Sequence, residues 1–332
     1  MYKQLITESY HINNHIDFSS LQNKSVLLTG ATGIMGIFFL LSLKNVSEKY
    51  NISITAWINR DLPSFLIEIF RGIKIIKGDI TVPYIDQSTK YDVIIHSAGY
   101  GQPSKFLLDE VKTIQINTYA TEHLLNRLKE NGKFLFISSS EVYNGLDDDN
   151  IVETVVGRTN TDHPRSCYIE GKRCGESICH AHKKHGVDVK IARLCLAYGP
   201  GIRKDDVRVV NELITKGLME GKITLRDSGD ATRTYCYATD AVIMMWNILL
   251  FGKNVIYNIG GKQRVSILEL ASKIGEILNL PIVIPENQNP LIGNPKNVNI
   301  SCERYYSEFG DVDFKDINHG LTQTIVWIKN II

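Results

Sequence analysis

The chain of 332 residues contains no C-x-x-C pair, and its six cysteines (Cys167, Cys174, Cys179, Cys195, Cys236 and Cys302) are scattered. That spacing argues against a disulfide framework and suits reduced thiols in a cytosol, so a cytoplasmic location is expected. No run approaches the roughly 18 apolar residues of a membrane span, so no membrane partner is expected. The opening MYKQLITESYHINNHIDFSS lacks the apolar centre of a signal peptide. No charge of one sign dominates: the formal net charge is +1, which gives no reason to expect nucleic acid as a partner. Internal repeats and low-complexity segments are missing as well. What remains is 43% hydrophobic and 22% charged, the composition of a globular enzyme. Its length suits one large domain, or a large domain with a smaller lobe.

Alternation is the first positive signal. SVLLTG, ITAWIN, IKIIKGD, YDVIIHSA, KFLFISSS and DVKIARL are short runs rich in Val, Ile and Leu, spaced by helix-length segments. Helices are predicted over 34–50, 62–71, 105–131 and 166–186. The pattern predicts an α/β fold on a Rossmann-type, doubly wound parallel sheet buried on both faces. Residues 1–24 read as a leader, helical or extended, and 25–198 as mainly the dinucleotide-binding domain. Regularity fades after Tyr198-Gly199-Pro200. Residues 199–332 therefore read as mainly a smaller C-terminal substrate-binding lobe, with some segments returning to the sheet. The stretch 281–295, PIVIPENQNPLIGNP, reads as irregular. Asp147-Asp148-Asp149 reads as a solvated loop. His180, His182 and His185 do not share one helix face as the histidines of an H-E-x-x-H site do, so no metal is expected.

SVLLTGATGIMG sets Gly30, Gly33 and Gly36 between the first strand and a helix. Such glycines allow a tight turn and let a pyrophosphate approach the helix N-terminus, here Ile34 and Met35. A turn that merely packs is the alternative; the strand before and the helix after favour a dinucleotide site. Other cofactor contacts belong at the carboxyl ends of the next strands, at Asp79 and Ile80 for the adenine and Ser97, Ala98 and Gly99 beneath the cofactor's centre. His96 reads as a core histidine. Downstream, Tyr168 and Lys172 are one helical turn apart on one face. An ammonium near the phenol lowers its pKa and makes Tyr168 a usable acid/base. Y-x-x-x-K is common as a surface pair, but ISSSEVYN, at a strand end about 30 residues earlier, supplies a hydroxyl to complete a site.

The ordered set TGATGIMG, HSAG, SSSEVY, YIEGK and RLCLAYGP resembles the extended short-chain dehydrogenase/reductases that act on nucleotide-diphosphate sugars, over residues 24–300. Within that family, PSKFLLDEVKTIQINT, PRSCYIEGKR, VRVVNELI and ATRTYCYATD look most like UDP-glucuronate decarboxylases. The resemblance implies that Tyr168 exchanges a proton with the sugar 4-hydroxyl while hydride moves between C4 and the nicotinamide. Lys172 would tune Tyr168 and bind the nicotinamide ribose, Ser139 would hydrogen-bond the 4-oxygen, and Asn117 would support the cofactor. Ser140, Arg208 and Arg233 would face the substrate, the two arginines holding its diphosphate, since a guanidinium fork suits phosphate. Glu141 stands where dehydratases carry their base at C5. The resemblance also implies a homodimer paired through 105–131 and the Tyr168 helix.

Three departures matter. PLIGNPKN has Gly293 and Asn294 before Pro295 where the decarboxylases carry an Arg for the substrate carboxylate. Leu196 replaces an Asn before Tyr-Gly-Pro. Ile58 stands where the ribose-binding Asp belongs and is followed by Asn59 and Arg60; an Arg there can pair with a 2′-phosphate. NADP(H) is therefore expected as cofactor, with NAD possible and Arg60 as a plain loop residue the alternative. The leading reading is an NADPH-preferring reductase of a nucleotide-linked 4-keto sugar, a 6-deoxyhexos-4-ulose of surface-polysaccharide synthesis. Against it stand a decarboxylase-like enzyme, a 4-epimerase or a 4-dehydrogenase, and, in another class, a non-catalytic cofactor-binding scaffold.

Overall fold

Val26, Leu27 and Leu28 are fully buried, so the first strand has no solvent face and its sequence cannot alternate. The structure, a computed structural model, describes residues 2–82, 88–286, 297–311 and 313–332. In chain order it forms α1 (Tyr2–His15), β1 (Ser25–Thr29), α2 (Ile34–Tyr50), β2 (Ser53–Ile58), α3 (Ile67–Phe70), β3 (Lys74–Lys77) and β4 (Tyr91–His96). There follow α4 (Pro103–Phe106), α5 (Glu110–Asn117), α6 (Tyr119–Leu125), β5 (Leu128–Ser139), α7 (Ser166–Lys184) and β6 (Asp188–Leu194). The second half adds β7 (Leu196–Tyr198), α8 (Val209–Glu220), β8 (Ile223–Thr224), β9 (Thr232–Tyr237), α9 (Ala238–Phe251) and β10 (Ile256–Ile259). It ends with β11 (Arg264–Ser266), α10 (Ile267–Leu278), β12 (Ile282–Val283), β13 (Asn297–Val298), α11 (Glu303–Phe309) and α12 (Ile317–Lys329).

The central sheet is parallel with strand order β3-β2-β1-β4-β5-β6-β10. The chain leaves β3 at one edge and re-enters at β4 on the other side of β1. That reversal opens a crevice above the carboxyl ends of β1 and β4, where ligands bind in this architecture. One face is covered by α2 and α9, with α1 packed on both; the other carries α5, α6 and α7. The smaller lobe is built on β9, flanked by β11 and β13 and joined by β7, with β8 and β12 paired apart. The chain enters that lobe through β7 and returns to the main sheet through α9 and β10.

The leader is helical. It buries Leu5, Ser9 and Ile12, and Phe18 meets the Trp246 ring edge-on at 5.1 Å.

Two expected helices differ. Residues 62–71 give a short 3-10 turn, Ser64–Leu66, and the single turn α3. Residues 105–131 are not one helix. Asp109 caps α5 by accepting from Lys112 N at 3.0 Å, and Thr118 (φ −111°, ψ −77°) interrupts the next turn. Arg127 O then accepts from Tyr91 N at 2.9 Å, which draws the chain into the sheet at Leu128. Of the stretch 281–295, Ile282–Val283 form β12. Gly293, Asn294 and Pro295 lie outside the described residues.

Candidate active site

A cleft of about 840 Å³ runs over the carboxyl ends of the sheet and under the smaller lobe. At its floor, Gly30 turns the chain from β1 into α2 with φ +68°, and a Cβ there would lie 2.5 Å from Ser97 O. Only glycine fits. Gly33 caps α2 without any side-chain hydrogen bond. The first helix amide to find a backbone acceptor is Ile37 N, on Gly33 O at 2.8 Å. The amides of Ile34, Met35 and Gly36 are therefore left for an anion, with the positive end of the helix dipole behind them. These features fit a pyrophosphate. Gly36 itself does not line the cleft; its missing Cβ lets α2 pack on the Gly30–Ala31 backbone.

Asn59, Arg60, Asp79, Ile80, Ser97, Ala98 and Gly99 all line the cleft, together with Trp57 and Ile58. Ile58 is buried, whereas Asn59 and Arg60 are exposed. Asp79 is braced by Lys112 of α5 and by Thr81. Burial opposes its charge, yet these partners hold its carboxyl below the usual range. Trp57 Nε1 donates to Gly78 O at 3.0 Å, locking the end of β2 to the strand beside it. His96 is a core residue: Nε2 faces Ile116 O at 3.1 Å and Nδ1 faces Thr29 Oγ1 at 2.9 Å. A carbonyl only accepts, so Nε2 carries the proton and Nδ1 accepts from the hydroxyl. Burial, reinforced by Lys172, pulls its pKa down to about 3. His96 is neutral at any working pH. Thr29 Oγ1 also accepts from Ala98 N at 3.1 Å, which fixes the turn at the end of β4.

Ser139, Ser140, Glu141, Tyr168 and Lys172 gather on one wall of the cleft. Ser139 ends β5, and its Oγ caps the following turn by accepting from Glu141 N. Tyr168 and Lys172 come from the first turns of α7. Tyr168 stacks on Phe106, with centroids 4.7 Å apart and planes 7° apart. Here the sequence expectation fails. Burial raises Tyr168 above its ordinary value; the hydrogen bond with Ser139 opposes this first, and Arg165 and Arg208 then add to it. The ammonium expected to lower it is directed elsewhere, since Lys172 Nζ donates to Ile137 O at 2.7 Å. It sits 5.7 Å from the Tyr168 ring centroid. Burial draws Lys172 down to about 7, and Glu176, one turn further along α7, resists that fall.

Asn117 is not in the cleft. It is buried between α5 and α7, where Nδ2 donates to Thr113 O at 2.8 Å and Oδ1 has no partner. A Cβ on Gly171 would lie 3.4 Å from its Nδ2, so Asn117 acts on the packing of α7 rather than on a ligand. Arg208 and Arg233 do line the cleft. Arg208 is already engaged: Nε and Nη2 grip Asp206, the latter at 2.6 Å. Arg233 is buried on β9, and Nη1 donates to Thr232 O at 2.7 Å. Leu196 also faces the cleft.

Sequence reasoning missed Arg165, Phe106, Trp57 and Arg226, all in the lining. Arg165 pairs with Glu141, Nη2 to Oε1, at 2.7 Å. Its place three residues before Tyr168 at the start of a helix was the available signal. Phe106 carried none, because only the fold brings α4 against α7. Among the described residues no group of three or more His, Cys, Asp or Glu side chains is arranged for a metal ion. No helix among them is long and apolar enough to cross a membrane.

A family model described as the NAD dependent epimerase/dehydratase family matches residues 26–260. UDP-glucuronic acid decarboxylase 5 of Arabidopsis thaliana is 30% identical over 280 residues, 80% of this chain and 78% of the relative. The solved UDP-glucuronic acid 4-epimerase of Bacillus cereus, in complex with UDP-glucuronic acid and NAD, superposes with a TM-score of 0.78 at 25% identity. That match covers 93% of this chain and 100% of the epimerase chain. A dTDP-glucose 4,6-dehydratase from Streptomyces venezuelae, with NAD bound, shares the fold at TM-score 0.77 and 20% identity, covering 92% of this chain and 97% of that one. With its uncapped glycine turn, its Ser-Tyr-Lys constellation and these relatives, the chain belongs to the NAD-dependent epimerase/dehydratase family, the extended short-chain dehydrogenase/reductases, enzymes that modify nucleotide sugars.

Proposed function

We propose that this protein is an NADPH-preferring 4-ketoreductase of a nucleotide-diphosphate sugar, a 6-deoxyhexos-4-ulose. The observation that carries the cofactor is the end of β2. Ile58 offers no acceptor for ribose hydroxyls, and Arg60 lines the cleft without a hydrogen bond or ion pair to any other described residue. A guanidinium placed there suits a 2′-phosphate. The nicotinamide, when bound, supplies hydride to C4. Tyr168 then gives its proton to O4, Ser139 holds that oxygen, and Lys172, whose amine borders Gly99, steadies the ribose. Arg233 and Arg208 hold the diphosphate. Arg208 does so while keeping Asp206, which fixes its fork in direction. The exposed row Leu108 and Val111 (84% and 66%) with Ile114 on and before α5 supports pairing as a homodimer through α5 and α7.

A second reading keeps hydride within the cycle: decarboxylation or 4-epimerisation with NAD reused. The 30% match to a UDP-glucuronic acid decarboxylase over 80% of the chain, with Glu141 in the cleft, favours it. The cofactor separates the two. Wild type is expected to bind NADPH more tightly than NADH. Arg60→Ala is expected to weaken NADPH alone by roughly ten- to a hundredfold, the value of a charge-assisted hydrogen bond of about 1.5–3 kcal/mol. Equal or tighter binding of NADH by the wild type removes the basis of the proposal.

A further inference from the structure

Glu141 does not stand alone in the cleft. Arg165 Nη2 lies 2.7 Å from its Oε1, and Asn144 Nδ2 donates to its Oε2 at 3.3 Å, so both carboxylate oxygens are engaged. The same guanidinium lies over the Phe106 ring at 5.6 Å, and Phe106 stacks flat on Tyr168. Arg165 thus reaches Tyr168 by two routes, through an aromatic ring and through a carboxylate. We propose that Arg165 is a positioning residue for Tyr168: its guanidinium holds Phe106 against the tyrosine ring and cancels the Glu141 charge beside the phenol.

The chemistry needs such a partner. When the Tyr168 proton leaves, a phenolate forms in a buried wall, and a bare carboxylate beside it opposes that charge. Burial is the largest influence on Tyr168, but Glu141 pushes in the same direction and Arg165 against it. The pairing also occupies Glu141 as an acceptor, which suits reduction at C4 better than proton removal at C5. The inference rests on Tyr168 as the acid/base. Its test reads the phenol directly, without turnover, so a wrong substrate assignment leaves the outcome intact.

Incorporate 3-fluorotyrosine into the full chain and follow the fluorine resonances against pH, with Tyr168→Phe identifying the signal of interest. The fluorine lowers the phenol's titration and gives Tyr168 a resonance of its own to follow. Arg165→Gln is expected to raise the Tyr168 midpoint by about one pH unit, the scale of losing one nearby opposite charge. Glu141→Gln is expected to lower it, and the double variant to return it close to wild type. Arg165→Lys keeps the charge but not the flat contact, so it retains the midpoint while moving the Tyr168 resonance. If Arg165→Gln does not fold, Glu141→Gln and Arg165→Lys decide by the same criteria. An unchanged midpoint in Arg165→Gln, or in Glu141→Gln, overturns the proposal, as does a double variant displaced as far as Arg165→Gln.

Discussion

Replacing Glu176 by Gln strikes the support behind β5 and α7, which carry Ser139 and Tyr168, together. Glu176 and Arg193 are nearly sealed from solvent, their side chains 6% and 3% exposed. Arg193 Nε reaches Oε1 at 3.0 Å and Nη2 reaches Oε2 at 2.7 Å. Ser138, next to Ser139, donates to Oε1 at 2.6 Å. The rest of the guanidinium is committed to Tyr143 Oη and to the Glu153 and Val155 carbonyls. Removing one member of a buried pair costs about 3–5 kcal/mol, because the other charge stays buried without compensation. Gln keeps one oxygen as an acceptor, so the lower end, about 3 kcal/mol, is expected. That is a large share of a stability on the order of 5–15 kcal/mol.

The same substitution has a second signature. Folded Lys172 titrates at about 7 against an ordinary 10.5. Between those values the unfolded chain binds more protons, so this group makes stability rise with pH across the window. Glu176 resists the depression; without it Lys172 falls further, and the rise begins at lower pH. Urea midpoints of wild type, Glu176→Gln, Arg193→Met and the Glu176→Leu/Arg193→Met double variant, taken from pH 6 to 9, test both effects. The double variant is expected to recover only part of the loss: the uncompensated charge is gone, but Ser138 Oγ and the Glu153 and Val155 carbonyls lose their partners. A Glu176→Gln variant within about 1 kcal/mol of wild type, with an unchanged pH slope, refutes the reasoning.

Tyr168→Phe is expected to abolish turnover while NADPH still binds, as isothermal titration would register; retained turnover removes Tyr168 as the acid/base. Gly30→Ala is expected to abolish cofactor binding and lower the unfolding temperature, because the new Cβ meets Ser97 O at 2.5 Å in a left-handed turn; unaltered binding contradicts the role given to that turn.

Local signals carried far in this sequence. β1 and α2 were legible because a buried parallel strand, a glycine turn and a helix each leave their mark within a few residues. The spacing of Tyr168 and Lys172 survived for the same reason. Errors came where distant contacts decide. Residues 105–131 kept a helical pattern in Ile116, Ala120 and Leu124, but pairing of Leu128 with Tyr91 ended the helix from outside. Tyr168 was expected to be acidified by Lys172, and burial together with the Ile137 carbonyl reversed that. Asn117 was placed on a ligand and belongs to a helix contact. Phe106 on Tyr168 arises only from tertiary packing; Asp206, two residues before Arg208, and Arg165, three before Tyr168, were close in sequence and went unread.

The central claim is net reduction at C4. The direct measurement incubates the purified protein with dTDP-4-keto-6-deoxyglucose and, separately, with UDP-glucuronate, each with NADPH, and follows nicotinamide absorbance and carbon dioxide together. The account predicts stoichiometric NADPH loss with the keto sugar and no carbon dioxide from the uronate. Carbon dioxide released from UDP-glucuronate without NADPH consumption contradicts it.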